Sequence, residues 1–312
     1  MPNDIIILGI FVADTSYRAD RQPRMGETIL GNKFTLGPGG KGSNQAVAAA
    51  KSGGNVGIIT KLGKDAFADM ALGIWSDAGV TSLATQHDES YTGAAYIFVE
   101  ESTGNNAIIV APGIAATISS DDVQKHTADI ATAKVFVTQL EQPIDAAMTG
   151  LQLARAAGVK TILNPAPVAE ISDKMLSLCD YVTPNETEAE GLTGITVSTP
   201  QDAERAAKAI LSRGAGAAII TLGENGALYH DGIDTLHVPA ITAGPVIETT
   251  GAGDAFNGGF ATALSQGMPA LSAVKFANAA AAISVTRPGT APAMPDRAEI
   301  DALVKIDANH AK

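Results

Sequence analysis

The run Glu248-Thr249-Thr250-Gly251-Ala252-Gly253-Asp254-Ala255-Phe256 sets a carboxylate, Asp254, directly behind two glycines at a predicted helix start. Unpaired N–H groups and the helix macrodipole favour negative charge at such an end, and Gly251 and Gly253 let a phosphoryl group approach the backbone closely. Gly251, Ala252 and Gly253 could therefore cradle a transferring phosphoryl group while Asp254 deprotonates its acceptor. The neighbouring amides are expected to lower the Asp254 pKa and keep it ionised at neutral pH. The same residues also read as a strand-to-helix turn in which Asp254 only complements the dipole.

A second glycine-rich stretch, Gly37-Pro38-Gly39-Gly40-Lys41-Gly42-Ser43-Asn44-Gln45, formally matches the dinucleotide pattern G-x-G-x-x-G. A dinucleotide loop follows the first strand and finds an acidic residue near the end of the next, whereas here the next strand ends at Thr60-Lys61. Lys41 precedes Gly42 rather than Ser or Thr, so this is not a Walker loop either. What remains is a backbone-lined pocket in which Lys41 and Asn44, at a helix start, hydrogen-bond a polyhydroxylated ligand; helix capping is the alternative duty of Asn44. Further on, Asn185 and Glu188 in Thr183-Pro184-Asn185-Glu186-Thr187-Glu188 share one face of a first helical turn. They either orient Mg²⁺ and its phosphates through water or cap the helix together. Thr221-Leu222-Gly223 ends a strand with a hydroxyl and a permissive backbone, beside which a nucleotide could lie.

Such residues work together only if strand ends converge. Ile5 to Leu8, closed by Gly9, reads as a buried first strand, and helix and strand signals then alternate: Gly42 to Lys51, Val56 to Thr60, Ala66 to Asp77, Val135 to Leu140, Ile144 to Ala157, Thr161 to Leu163, Tyr181 to Thr183, Gln201 to Arg213 and Ala217 to Leu222. Gly253 to Gln266 and Ala270 to Thr286 are closing helices. Repeated β–α units predict an α/β fold: a doubly wound, mostly parallel, Rossmann-like sheet flanked by helices. Two segments, about 10–37 and 91–111, break the rhythm and read as hairpins leaving the sheet. They are expected to form a small β-sheet lid inserted in a single domain, 1–312, with peripheral hairpins as the other reading.

Composition narrows the function classes. At 312 residues with 46% hydrophobic residues the chain is globular, and a formal charge of −12 argues against a nucleic-acid or anionic-membrane surface. The single cysteine, Cys179, excludes an internal disulfide framework, and the five histidines are scattered. No apolar run has the length of a membrane span and no cleavable leader is visible, so a cytoplasmic location is expected.

Together these motifs resemble the ribokinase group of the PfkB sugar kinases over essentially the whole chain. Met25-Gly26-Glu27-Thr28, Leu140-Glu141 and Asn164-Pro165-Ala166-Pro167 add to the resemblance, in the family's order. It implies that Asp14, Gly40, Lys41, Asn44 and Glu141 contact sugar, with Asp254 as catalytic base beside the anion hole. Asn185, Glu188, Thr221 and Gly223 would serve ATP and Mg²⁺, with Asn278 near the adenine. Glu248, Thr250, Thr286, Arg287 and Gly289 would line a K⁺ site. The implied activity is ATP-dependent phosphorylation of the 5-hydroxyl of D-ribose; the alternative acceptors are 2-deoxyribose, another pentose or a nucleoside. A homodimer through the lid is implied as well. Three residues depart from the family pattern: Val12 stands for a sugar-binding Asn, Glu248 for an Asp and Ala293 for a Ser.

Overall fold

A computed structural model describes residues 2–310, the last three by their backbone only, so the side chain of His310 lies outside the described residues. Among them a nine-stranded sheet runs in the order Thr235–Val238, Ala227–His230, Ala217–Thr221, Tyr181–Val182, Lys160–Leu163, Val135–Thr138, Ile5–Leu8, Val56–Ile59, Thr81–Ser82. The first two pairings are antiparallel and the other six parallel. Central strands buried on both faces must be apolar throughout, which is what Ile5-Ile6-Ile7-Leu8 supplies, all at 0% exposure. Alternate residues then feed two cores. Ile5, Ile7, Val135 and Val137 pack beneath the helices Lys41–Lys51, Ala252–Ser265 and Ala270–Ser284, whereas Ile6, Leu8 and Phe136 face Ile144–Ala156 and Pro200–Ser212.

The predicted α/β alternation is present, with element bounds shifted by a residue or two. Sequence reading did not find the antiparallel edge strands Ala227–His230 and Thr235–Val238, the short helices Ser120–Gln124 and Thr127–Thr132, or the helix Arg297–His310. The two irregular segments form one small sheet. Val12–Ala19 pairs antiparallel with Lys33–Gly39, Thr92–Glu100 pairs antiparallel with Asn106–Gly113, and a parallel pairing of Val12–Ala19 with Thr92–Glu100 joins the hairpins. Its apolar side chains Phe34, Ile108, Ile109 and Val110 are half or more exposed.

Two glycines set the entry to the helix Lys41–Lys51. A Cβ on Gly42 would lie 2.6 Å from the Gly9 Cα, so the helix can start hard against the end of the first strand only because both positions lack side chains. That contact carries Lys41, Asn44 and Gln45 to the carboxyl edge of the sheet, where parallel α/β folds gather their functional groups. No helix among the described residues is long and apolar enough to cross a membrane.

Candidate active site

The parallel strands end in polar residues: Gln139 after Thr138, Asn164 after Leu163, Thr183 after Val182, and Thr221. Three of these, Asn164, Thr183 and Thr221, wall a cleft of about 140 Å³ closed by Lys41, Asn185, Glu188, Gly251, Gly253, Asp254 and Asn257. The helix Ala252–Ser265 opens this cleft with its N-terminus. Gly251 adopts φ +83°, a left-handed turn that favours glycine, and a Cβ on Gly253 would meet nothing within 4 Å, so the backbone there is open to a ligand. First-turn amides have no intrahelical acceptor. The Ala252 amide is already used, donating to Thr249 O at 3.2 Å, which leaves the later ones for an anion.

Asp254 is buried at 7% exposure. Its Oδ2 accepts from Asn44 Nδ2 and its Oδ1 from Gln45 Nε2, both at 3.0 Å. Burial raises its pKa, opposed by the Lys41 ammonium and by these two amides. The expectation that backbone amides depress this pKa is therefore wrong: the carboxylate turns from the nest toward the helix Lys41–Lys51, and desolvation outweighs what its partners return. Asn44 sits inside that helix, whose N-cap is Gly40, so it is no cap, and its buried Oδ1 has no protein partner.

Three further carboxylates lie nearby, Glu141 and Glu188 acting on Lys41 and Asp14 on Asp254. Glu141 Oε2 accepts from the Lys41 backbone N–H at 2.7 Å, and burial pushes the Glu141 pKa up to about 7 against the pull of Lys41. Burial, then the charge of Asp254, pushes Asp14 up to about 6. Its carboxylate lies where a Gly39 Cβ would be, so any side chain at Gly39 would displace it. Glu188 is raised by burial as well. Lys41 is desolvated, yet the negative charge of Asp254, Glu141 and Glu188 still raises its pKa, and among the described residues it forms no ion pair. Lys41 thus shares the cleft wall with Asp254 and Glu188, placing one cation among hydrogen-bond acceptors.

A model of the pfkB family carbohydrate kinases matches residues 2–297. The chain belongs to this family. It is 37% identical over 300 residues to the ribokinase of Haemophilus influenzae, covering 96% of this chain and 97% of that one. The deoxyribokinase of Salmonella typhi is 35% identical over 294 residues, with 94% and 95% covered. The solved Arabidopsis thaliana ribokinase, complexed with ribose and ATP, superposes with a TM-score of 0.91 at 30% identity, covering 98% of this chain and 99% of that one.

Several residues to which the family resemblance gives a site role have other partners here. Asn185 and Glu188 form a reciprocal capping box, Glu188 N to Asn185 Oδ1 at 2.8 Å and Asn185 N to Glu188 Oε2 at 2.9 Å, although both also line the cleft. Asn278 donates to Val238 O and Pro239 O, both at 3.2 Å, pinning the edge of the large sheet, and is not in the cleft wall. Arg287 is turned onto Glu299 and the Thr286 hydroxyl donates to Ile283 O, so both would reach a cation only through their backbone. Glu248 Oε2 accepts from Gly289 N at 2.8 Å, and the amides of Ile247 and Glu248 both reach Val285 O, so these loops lie side by side. Ala293 is buried and brings no hydroxyl. Gly223 starts a short 3-10 turn with φ +52° beyond Thr221. Sequence reasoning left Gln45, Gln139, Thr183 and Asn257 without a site role; only the motifs around Asp254, Lys41 and Asn185 could have drawn notice to them.

Proposed function

We propose that this sugar kinase transfers the γ-phosphoryl group of ATP to the 5-hydroxyl of D-ribose. The observation that carries the reading is Asp254, held by Asn44 and Gln45 at the mouth of an open glycine turn. The sugar oxygen attacks the γ-phosphorus, the bond to the bridging β,γ-oxygen breaks, and the hydroxyl proton passes to Asp254. Amides of Gly253 and Asp254, with Lys41, face the charge spread over the transferring group. Asp14, Glu141, Asn44 and the backbone at Gly40 bind the sugar hydroxyls; the unpaired Asn44 Oδ1 fits a hydroxyl donor. Positioning of this kind supplies most of the rate in phosphoryl transfer.

On the nucleotide side, Asn185, Glu188, Thr221 and Gly223 line the approach of the phosphates, and Asn278 shapes the adenine end. Mg²⁺ fits this chain chiefly through water on Glu188 and Asn185, and when bound would neutralise the β- and γ-phosphates. K⁺ fits the backbone of Thr250, Thr286, Arg287 and Gly289 with the Glu248 carboxylate. The small sheet acts as a lid over the sugar, excluding water, and its exposed Ile108, Ile109 and Val110 pair two copies into a homodimer. A cytoplasmic location accords with this chemistry.

One observation favours a second acceptor, 2-deoxyribose. Val12, buried at 4%, offers no polar group beside Asp14, and deoxyribokinases stand among the relatives. ADP release measured across pentoses, hexoses and nucleosides tests both readings. Ribose should give the highest kcat/KM, because Asp14 is left without a partner when a hydroxyl is missing. A preference for deoxyribose moves the assignment to that sugar, and no turnover with any sugar ends the kinase reading.

A further inference from the structure

From the wall of the cleft inward, polar side chains form a hydrogen-bonded circuit around Asp254, of which Gln45 and Gln139 lie behind the wall. Gln45 Nε2 donates both to Asp254 Oδ1 and to Asn164 Oδ1, each at 3.0 Å, while Gln45 Oε1 accepts from Gln139 Nε2 at 2.6 Å. Asn164 Nδ2 donates to Thr183 O at 3.0 Å. Thr183 Oγ1 donates to Asn257 Oδ1 at 2.6 Å, and Asn257 Nδ2 returns to Gly253 O at 2.8 Å. The circuit starts at the carboxylate and closes on the carbonyl of the residue before it.

The orientations of Gln45, Gln139 and Asn164 follow from Asp254, and that of Asn257 from the Gly253 carbonyl. A carboxylate only accepts, so Gln45 must turn its NH₂ inward, which leaves its oxygen for Gln139 and obliges Asn164 to present its own oxygen. Flipping any one member sets two donors or two acceptors face to face. In a buried site such a mismatch is not relieved by water. Gln45 and Gln139 are both at 0% exposure and absent from the cleft wall.

We propose that Gln45 is a positioning residue for phosphoryl transfer: braced by Gln139 and Asn164, it fixes the plane of the Asp254 carboxylate relative to the sugar hydroxyl and the Gly253 backbone. This rests on the reading of Asp254 as the base. The charged groups that face Asp254 are Lys41 from the same helix as Gln45, Asp14 from the small sheet, Glu141 from the loop after Val135–Thr138, and Glu188 from the capped helix Glu186–Thr193. None of them is bonded to Gln45, so its replacement leaves them in place.

Gln45→Leu removes the N–H bonds at similar volume. Its kcat should fall on the order of tenfold or more with KM for ribose and ATP within about twofold, the split expected when only the transition state loses an interaction. The acidic limb of kcat against pH should move upward, because Asp254 loses a bond that favours its ionised form. Adding Gln45→Leu to Asp254→Asn should cost no further activity. A folded Gln45→Leu enzyme with wild-type kcat and an unmoved acidic limb overturns the proposal, as does an equal loss on the Asp254→Asn background. Should Gln45→Leu not fold, Gln139→Met, which removes the brace together with its unpaired Oε1, must move the limb in the same direction; an unmoved limb refutes the proposal. The base reading is judged separately: Asp254→Asn with near wild-type kcat removes the base, and the positioning role falls with it.

Discussion

With Asp14 and Glu141 in their proposed sugar-binding roles, sugar binding should be coupled to proton release, because burial raises the pKa of both in the free enzyme. Burial pushes Asp14 up from 3.8 to about 6 and Glu141 up to about 7. A protonated Asp14 turns one oxygen into a donor and accepts more weakly through the other, so ribose hydroxyls donating to both oxygens should select the ionised form and expel the proton. For a group of pKa about 6, lowering the pH from 8 to 5 weakens apparent binding by about tenfold. Glu141 adds to the slope nearer pH 7. Stability of the free enzyme runs the other way. A raised folded-state pKa contributes stability that is full below the unfolded value near 4 and is lost as pH rises through about 6. Asp14→Asn should therefore raise Tm at pH 8 and not at pH 4, by an increment worth about 3 kcal/mol, while weakening ribose binding and flattening its pH dependence. Isothermal calorimetry in buffers of different ionisation enthalpy at pH 6 counts the protons released, and thermal melts check the stability arm. A wild-type Kd for ribose that is constant from pH 5 to 8, with no buffer dependence of the heat, refutes the reasoning.

Asp254→Asn keeps the volume but turns an amide NH₂ toward one of the two donors, Asn44 and Gln45; kcat should fall by about a hundredfold or more, with ribose and ATP still bound in calorimetry. Gly253→Ala has room on the protein side and removes a helical glycine, so stability should rise by up to about 1 kcal/mol while kcat falls, because the methyl projects where the phosphoryl group lies. Equal kcat in wild type and Gly253→Ala would deny the turn its role. Replacing K⁺ by a non-coordinating organic cation at constant ionic strength should slow turnover, though modestly, since Ala293 supplies no hydroxyl; indifference to the exchange excludes the ion site. Light scattering at micromolar concentration should report a dimer, and Ile109→Lys should convert it to a monomer; a fully active wild-type monomer rules out pairing through the lid.

The alternation of strands and helices, the apolar first strand and the glycine turn before Asp254 were legible in the chain itself, because each depends on residues adjacent in sequence. That turn is a local object, built from Gly251, Ala252 and Gly253 in succession. The short antiparallel edge strands Ala227–His230 and Thr235–Val238 were not legible, since four-residue strands at a sheet margin carry little periodicity and are made by pairing, the first with Ala217–Thr221 and the second with the first. Nor could the chain reveal that the two hairpins share a parallel seam between Val12–Ala19 and Thr92–Glu100. The protonation of the site was decided by tertiary structure alone. Asp254 meets Asn44 and Gln45 from 210 and 209 residues away, and desolvation by burial reverses the pKa shift that its local amides suggested. Desolvation and charge coupling are set by what packs around a group in space, and no local pattern of residues encodes that sum.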